Sequence, residues 1–288
     1  FTSDALMTNN NTGQIEFWNG DHGLAWARHA DTVDVMFSDI TDAVLVAAEV
    51  GVGDRVLDLG CGNGGTTLAA AERVTAIGTV TAVDVSGPMI DRAHERADAA
   101  NLVNVTFLLS DAAVYPFAEQ SFDKLISRLG AMFFDNPAAV FARLGPALAP
   151  GGRVALGVWR GPRENLWAME PVAAAKPFLE MPPRPGPEDP GPFSFADPDR
   201  VRRVLVGSGW QSIELTPLDF QLPLGRTMED ALAFVLEMGP LSTPLGEVTG
   251  ENRTRAIDAI NRVLEDNTCD DGIVRLAGAC WIVTAQAG

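Results

Sequence analysis

An apolar run, Val56-Leu57-Asp58-Leu59, passes directly into a glycine cluster, Gly60-Cys61-Gly62-Asn63-Gly64-Gly65. No other feature constrains the fold as much. It reads as a short buried strand, a tight glycine turn and a helix through Thr66–Arg73, an arrangement that lets a ligand come close to the backbone. Gly60, Gly62 and Gly65 satisfy the G-x-G-x-x-G spacing of dinucleotide sites. Glycine-rich turns that bind nothing satisfy it too, so the spacing needs support from other residues.

The alternation continues downstream. Val80–Val85 predicts a second strand, and Ser86 an N-cap for a helix running to about Ala100. Val105–Leu109 predicts a third strand, Phe122–Ser127 a fourth, Pro137–Leu148 a helix, and Arg153–Val158 a fifth strand after the turn Pro150-Gly151-Gly152. Strands alternating with helices argue for parallel strands and crossover connections, a doubly wound, Rossmann-like α/β fold. Ahead of it, Val33, Met36, Phe37, Ile40 and Val44 mark one face of a helix over residues 31–49.

Beyond Trp159 the pattern changes. Residues 181–192 hold six prolines in twelve positions, which excludes helix and inner strand. Asp197-Pro198 opens a helix that Gly207-Ser208-Gly209 ends. Trp210–Leu215 and Gly278–Ala285 predict further strands, with helices near 228–238 and 251–265 between them. The expected organisation is a single domain over 1–288, with 1–30, 160–196 and 225–270 as lid or acceptor-pocket segments.

With 288 residues and 47% apolar composition the chain has ample core material. A net charge of −17 opposes nucleic acid and anionic membrane surfaces as partners. No apolar run approaches the roughly 18 residues of a membrane span, and Phe1-Thr2-Ser3-Asp4 does not open a signal peptide. Cys61, Cys269 and Cys280 suggest neither a zinc site nor a disulfide framework, which favours a reducing cytoplasm. His22, His29 and His94 are too few and too dispersed for a metal site.

Three carboxylates then discriminate among ligands. Asp58 lies on the first strand, Asp84 near the end of the second, and Asp111 just after the third. The carboxyl ends of parallel strands line one crevice. Asp84 suits a ribose diol, and Asp111 could accept from an adenine amino group. Asp58 would repel a pyrophosphate but suits an ammonium. The combination fits S-adenosylmethionine better than a dinucleotide.

The set Val56–Gly65, Val83-Asp84, Ser110-Asp111-Ala112 and Leu148-Ala149-Pro150-Gly151-Gly152 resembles the class I S-adenosylmethionine-dependent methyltransferases. Within them it is similar to the bacterial small-molecule branch near the ubiquinone/menaquinone methyltransferases. Phe17-Trp18-Asn19-Gly20 and Ser127–Phe134 share the likeness less specifically. The resemblance implies a seven-stranded sheet whose final strand is antiparallel. It also implies that Gly60 and Gly62 pass the methionine part, that Asp84 holds the ribose hydroxyls, and that Asp111 with Ala112 contacts adenine. Cys61, Val85, Met89 and Arg128 complete the candidate cofactor set. Many relatives carry a histidine-rich segment after the fourth strand; Arg128–Phe134 has none, so no role attached to that histidine transfers.

Candidates for acceptor chemistry lie outside the sheet. Trp18 and Trp26 could offer an aromatic face to the sulfonium, or simply pack the N-terminal segment. His22 and His29 are possible bases, and Glu170 could serve as a base or be a solvated helix carboxylate. Arg160, Glu164 and Trp167 follow the fifth strand at the ligand edge. Met132, Phe133 and Phe134 could wall an apolar pocket or be core. Cys61 reads as a small filler. The leading expectation is methyl transfer from S-adenosylmethionine to a small, aromatic or otherwise apolar acceptor. The alternatives are a nicotinamide-dependent oxidoreductase on the same loop and a non-catalytic nucleoside-binding protein.

Overall fold

The computed structural model describes residues 11–183 and 185–288. The opening residues Phe1–Asp4, and with them the signal-peptide expectation, lie outside the described residues, as do the first ten positions of the expected 1–30 lid. In chain order the elements are α1 (Thr12–Asn19), α2 (Asp21–Arg28), α3 (Ala30–Met36), α4 (Ser38–Ala47), β1 (Arg55–Leu59), α5 (Gly65–Val74), β2 (Thr79–Asp84) and α6 (Gly87–Ala99). Next come β3 (Val105–Leu109), β4 (Phe122–Arg128), α7 (Pro137–Leu144), β5 (Leu148–Trp159), α8 (Leu166–Ala175) and α9 (Pro198–Gly207). The chain continues through β6 (Gln211–Pro223), α10 (Met228–Ala233) running into a π-helical turn at Phe234–Met238, α11 (Ser242–Glu247), α12 (Gly250–Asp266) and β7 (Arg275–Gln286).

One seven-stranded sheet, in the order β3-β2-β1-β4-β5-β7-β6, organises these elements. The first five strands are parallel, and β7 runs antiparallel between β5 and β6. The inner strands read as continuous apolar runs because they are covered on both faces. Val56, Leu57, Leu125, Ile126, Val154 and Leu156 are all fully buried, and each such side chain contributes about 1.5–3 kcal/mol of burial. The core extends from Ala25 to Ala285. No helix among the described residues is long and apolar enough to cross a membrane.

The chain order reverses beside β1, whose sequence neighbours lie on one side while β4 lies on the other. At this switch point the loops after β1 and β4 part, and the crevice between them is where open α/β sheets bind ligands. Gly60 and Gly130 face each other there. A Cβ on Gly60 would stand 2.9 Å from the Gly130 Cα, and Gly60 has φ +68°.

Several local expectations differ from the structure. The stripe Val33–Val44 is buried as expected, but the helix is broken at Phe37 into α3 and α4. Ser86 stands at the N-cap of α6, yet its hydroxyl donates to the Trp18 carbonyl at 2.6 Å instead of capping the helix. Residues 166–175, within the expected 160–196 lid segment, form α8 around the internal Pro171. The described part of the expected 1–30 lid forms α1 and α2. The described residues of 181–192 form neither helix nor strand.

Candidate cofactor crevice

Asp84 ends β2, and its carboxylate spans the crevice floor. One oxygen accepts from the Gly62 amide at 2.8 Å and the other from the Ser86 amide at 2.9 Å. These contacts hold the glycine loop against the start of α6. Burial pushes the Asp84 carboxyl up, while the amides of Ser86 and Gly62 draw it back. Gly62 has φ +52°, and the atom nearest a Cβ there would be Met89 Sδ at 3.7 Å. Met89, and Cys61 within the loop, are buried. Cys61 is held well above the usual thiol range by burial and then by Asp84 and Asp58, which agrees with a filler and not a nucleophile.

Asp58 is fully buried on β1. Its Oδ2 accepts from the Thr67 hydroxyl at 2.6 Å, and its Oδ1 has no hydrogen-bond partner. Burial pushes this carboxyl up to about 6, against the pull of the Thr67 hydroxyl and Arg128. Such an orphaned acceptor calls for an explanation, and an ammonium-bearing ligand supplies one. Arg128, at the end of β4, donates to Thr41 Oγ1 at 2.9 Å and lies over the Phe37 ring. Asp111 uses one oxygen to accept from the Ala113 amide at 2.9 Å, closing the turn after β3, with Ala112 buried in that turn.

The N-terminal helices lie across this crevice. Asn19 donates to the Val85 carbonyl and accepts from the Gly87 amide, both at 2.9 Å. Asn63 Nδ2 donates to the Trp26 carbonyl at 2.8 Å. The Trp18 ring meets Trp26, His22 and Phe133 edge-on, and Trp26 stacks on Phe37. From Phe37 the aromatic contacts continue through Trp159 and Trp167 to Phe234. Arg28 and His29 pair with Glu237 on the π-helical turn, tying the N-terminal lid to the C-terminal helices.

His22 Nε2 accepts from Trp26 Nε1 at 3.1 Å, so in this tautomer the proton resides on Nδ1. Burial lowers its pKa to about 4, which keeps the ring neutral at neutral pH. Glu170, on α8, accepts from Asn267 at the end of α12. Arg160 is paired with Glu164 and Asp219, and Trp167 donates to the buried Asn165. Sequence reasoning missed Asn19, Asn63, Thr67 and Asp34. Asn19 and Asn63 lay within the stretches Phe17–Gly20 and Val56–Gly65 that carry the likeness, without being singled out.

The proline-rich segment is fastened to the loop after β4. Ser194 Oγ and the Gly191 amide both donate to the Met132 carbonyl, and Arg200 donates to the carbonyls of Pro187, Glu188 and Ser194. Arg200 is 7% exposed. Arg200→Met is expected to leave three carbonyls without their donor and to destabilise the protein by about 2–4 kcal/mol. A thermal melt checks the loss, and titration should show cofactor affinity within a few fold of wild type.

A family model described as a methyltransferase domain matches residues 56–152. Aklanonic acid methyltransferase DauC of Streptomyces sp. (strain C5) is 35% identical over 103 residues, covering 36% of this chain and 47% of that protein. The nocamycin O-methyltransferase of Saccharothrix syringae is 36% identical over 121 residues, covering 42% and 43%. The matches thus span less than half the length of these two curated relatives. Among solved structures, a phosphoethanolamine N-methyltransferase 2 of Haemonchus contortus in complex with S-adenosyl-L-methionine superposes with a TM-score of 0.56 at 19% identity, over 94% of this chain and 59% of that one. Residues 56–152 thus match a methyltransferase-domain family model, and they lie within a seven-stranded, mostly parallel sheet shared with solved methyltransferase structures.

Proposed function

We propose that this chain transfers a methyl group from S-adenosylmethionine to a small, apolar, ring-bearing acceptor. The observation that carries the reading is the pairing of two buried carboxylates, Asp58 and Asp84, on either side of the glycine loop. Such a floor repels a pyrophosphate and accepts an ammonium and a ribose. The cofactor supplies a methyl already activated by its sulfonium. Asp84 holds the ribose hydroxyls, Asp111 and Ala112 receive the adenine, and Gly60 and Gly62 let the methionine part pass. Cys61, Val85 and Met89 line the loop, and Arg128 lies at its methionine end. Trp18 and Trp26 present aromatic faces beside the sulfonium. The names of two relatives, an aklanonic acid methyltransferase and a nocamycin O-methyltransferase, support a small-molecule acceptor. The free thiols fit a reducing cytoplasm.

Positioning carries most of the rate, since well-oriented reactants gain on the order of 7–11 kcal/mol. A base is needed only for an acceptor that loses a proton. His22 would then have to give up its bond from Trp26, and Glu170 its bond from Asn267. A labelled-methyl assay over small phenols, enols and quinols tests the reading. Label in a product supports it; cofactor binding with no transfer to any acceptor favours a non-catalytic binder.

Asp58 also sets a pH dependence. Its folded-state pKa of about 6 lies above the unfolded value, so its contribution to stability is present at low pH and is lost as pH rises through 6. Ligand binding runs the other way, because an ammonium prefers the charged carboxylate. Calorimetry should show S-adenosylhomocysteine affinity falling as pH drops below about 6, by up to tenfold per unit. A flat profile between pH 5 and 8 would remove Asp58 from the ligand's contacts.

A further inference from the structure

Phe17-Trp18-Asn19-Gly20 forms the corner between α1 and α2, and this corner sits on the loop after β2. Asn19 Nδ2 donates to the Val85 carbonyl as well as to the Ile15 carbonyl one turn back, and Asn19 Oδ1 accepts from the amide of Gly87, the first residue of α6. The cap of α6 therefore comes from the lid, while the Ser86 hydroxyl donates to the Trp18 carbonyl. Gly23 of α2 presses on the same point. A Cβ there would fall 1.8 Å from the Trp18 carbonyl oxygen and 3.0 Å from Ser86 Oγ. On the other flank, Asn63 of the glycine loop donates to the Trp26 carbonyl. Asp84 accepts from the Gly62 and Ser86 amides. The contacts thus close a circuit that runs from the glycine loop to Asp84, on to Ser86, into the lid, and through Trp26 back to the glycine loop.

The lid is the weakest part of this circuit. α1 and α2 have eight residues each, neither has a side-chain cap, and α1 buries none of its residues. Isolated helices shorter than about 12–15 residues are marginal in water, and segments with few buried apolar contacts are the ones that open locally. The strands on the other side of the circuit are anchored by the fully buried Val56, Leu57 and Leu59. Resting on the proposed S-adenosylmethionine reading, we infer that the α1–α2 corner is a gate over the cofactor crevice. It is shut by Asn19 on Val85 and Gly87, and it releases for the cofactor to enter or leave. Asn19 is thus a positioning residue: its bonds are to the protein, so they act on empty and filled crevices alike. Weakening them changes the rate of passage in both directions and leaves the binding equilibrium nearly untouched.

Stopped-flow tryptophan fluorescence with S-adenosylhomocysteine reads both rates. Asn19→Ala should speed association and release alike by about tenfold, with Kd within about threefold of wild type. Gly23→Ala, which unseats the corner by another route, should show the same pattern. Unchanged rates in both variants overturn the gate. So does a loss of affinity without faster association, which would make Asn19 an ordinary support of the crevice. Hydrogen exchange on the wild-type protein tests the gate without any variant: the amides of α1 and α2 should open much faster than those of β1 and β2, and slow when S-adenosylhomocysteine is added. Lid amides as protected as the sheet, in a protein that binds S-adenosylhomocysteine, overturn the gate alone. Wild-type protein that binds no S-adenosylhomocysteine overturns the S-adenosylmethionine reading itself.

Discussion

Replacing Asp84 by alanine is expected to lower S-adenosylmethionine affinity by roughly 10- to 150-fold, with a loss of stability beside it. The carboxylate has two duties. Toward the ligand, in the proposed reading, it is the acceptor for the ribose, a bond worth about 1.5–3 kcal/mol. Toward the protein it accepts from the Gly62 and Ser86 amides, so its removal frees the glycine loop as well. The unpaired amides should cost about 1–3 kcal/mol of folding stability. Asp84→Asn keeps one acceptor oxygen and should fall between wild type and alanine in both respects. Calorimetry and thermal melts on the same samples check the two duties separately. Unchanged affinity in the alanine variant would place the ribose elsewhere.

The glycine loop should divide into a packing half and a binding half. Valine at Gly62 is expected to fold and to lose cofactor binding by more than 100-fold. Its Cβ would meet only Met89 Sδ, at 3.7 Å, so the protein has room for it. The left-handed φ of +52° adds about 1–2 kcal/mol of strain. The branched side chain would project where the ligand must cross. Alanine at Gly60 should do the reverse, damaging folding first, because its Cβ would collide with the Gly130 backbone at 2.9 Å. Soluble yield, melting temperature and affinity for both variants test the division. A Gly62→Val protein with normal affinity would show that the ligand does not cross this loop.

The sheet was legible in the sequence because its signals are local. Buried parallel strands are short apolar runs, and the glycines after β1 and the turn before Arg153 punctuate them. β3 matches its expected span, Val105–Leu109. The N-terminal lid was not legible, because α1 buries none of its residues and neither α1 nor α2 has a side-chain cap. These helices depend on docking, through Asn19 and the Trp18–Trp26–Phe37 contacts, which no sequence window contains. α8 was hidden by Pro171 inside it. At the site, Asp58, Asp84 and Asp111 could be read from their places at strand ends. Asp34 could not, since a carboxylate one position from the buried stripe of α3 looks like any solvated helix residue. Its contact with Gly65 arises only in the folded chain. Asn63 was likewise hidden among glycines, where it reads as a turn residue.

The central claim is that the crevice at the carboxyl ends of β1, β2 and β3 takes S-adenosylmethionine and not a dinucleotide. Calorimetric titration of the wild-type protein with S-adenosylhomocysteine and with NAD tests it most directly. The account predicts saturable one-site binding of S-adenosylhomocysteine, abolished in Gly62→Val, with no heat from NAD. Binding of NAD in place of S-adenosylhomocysteine would contradict it.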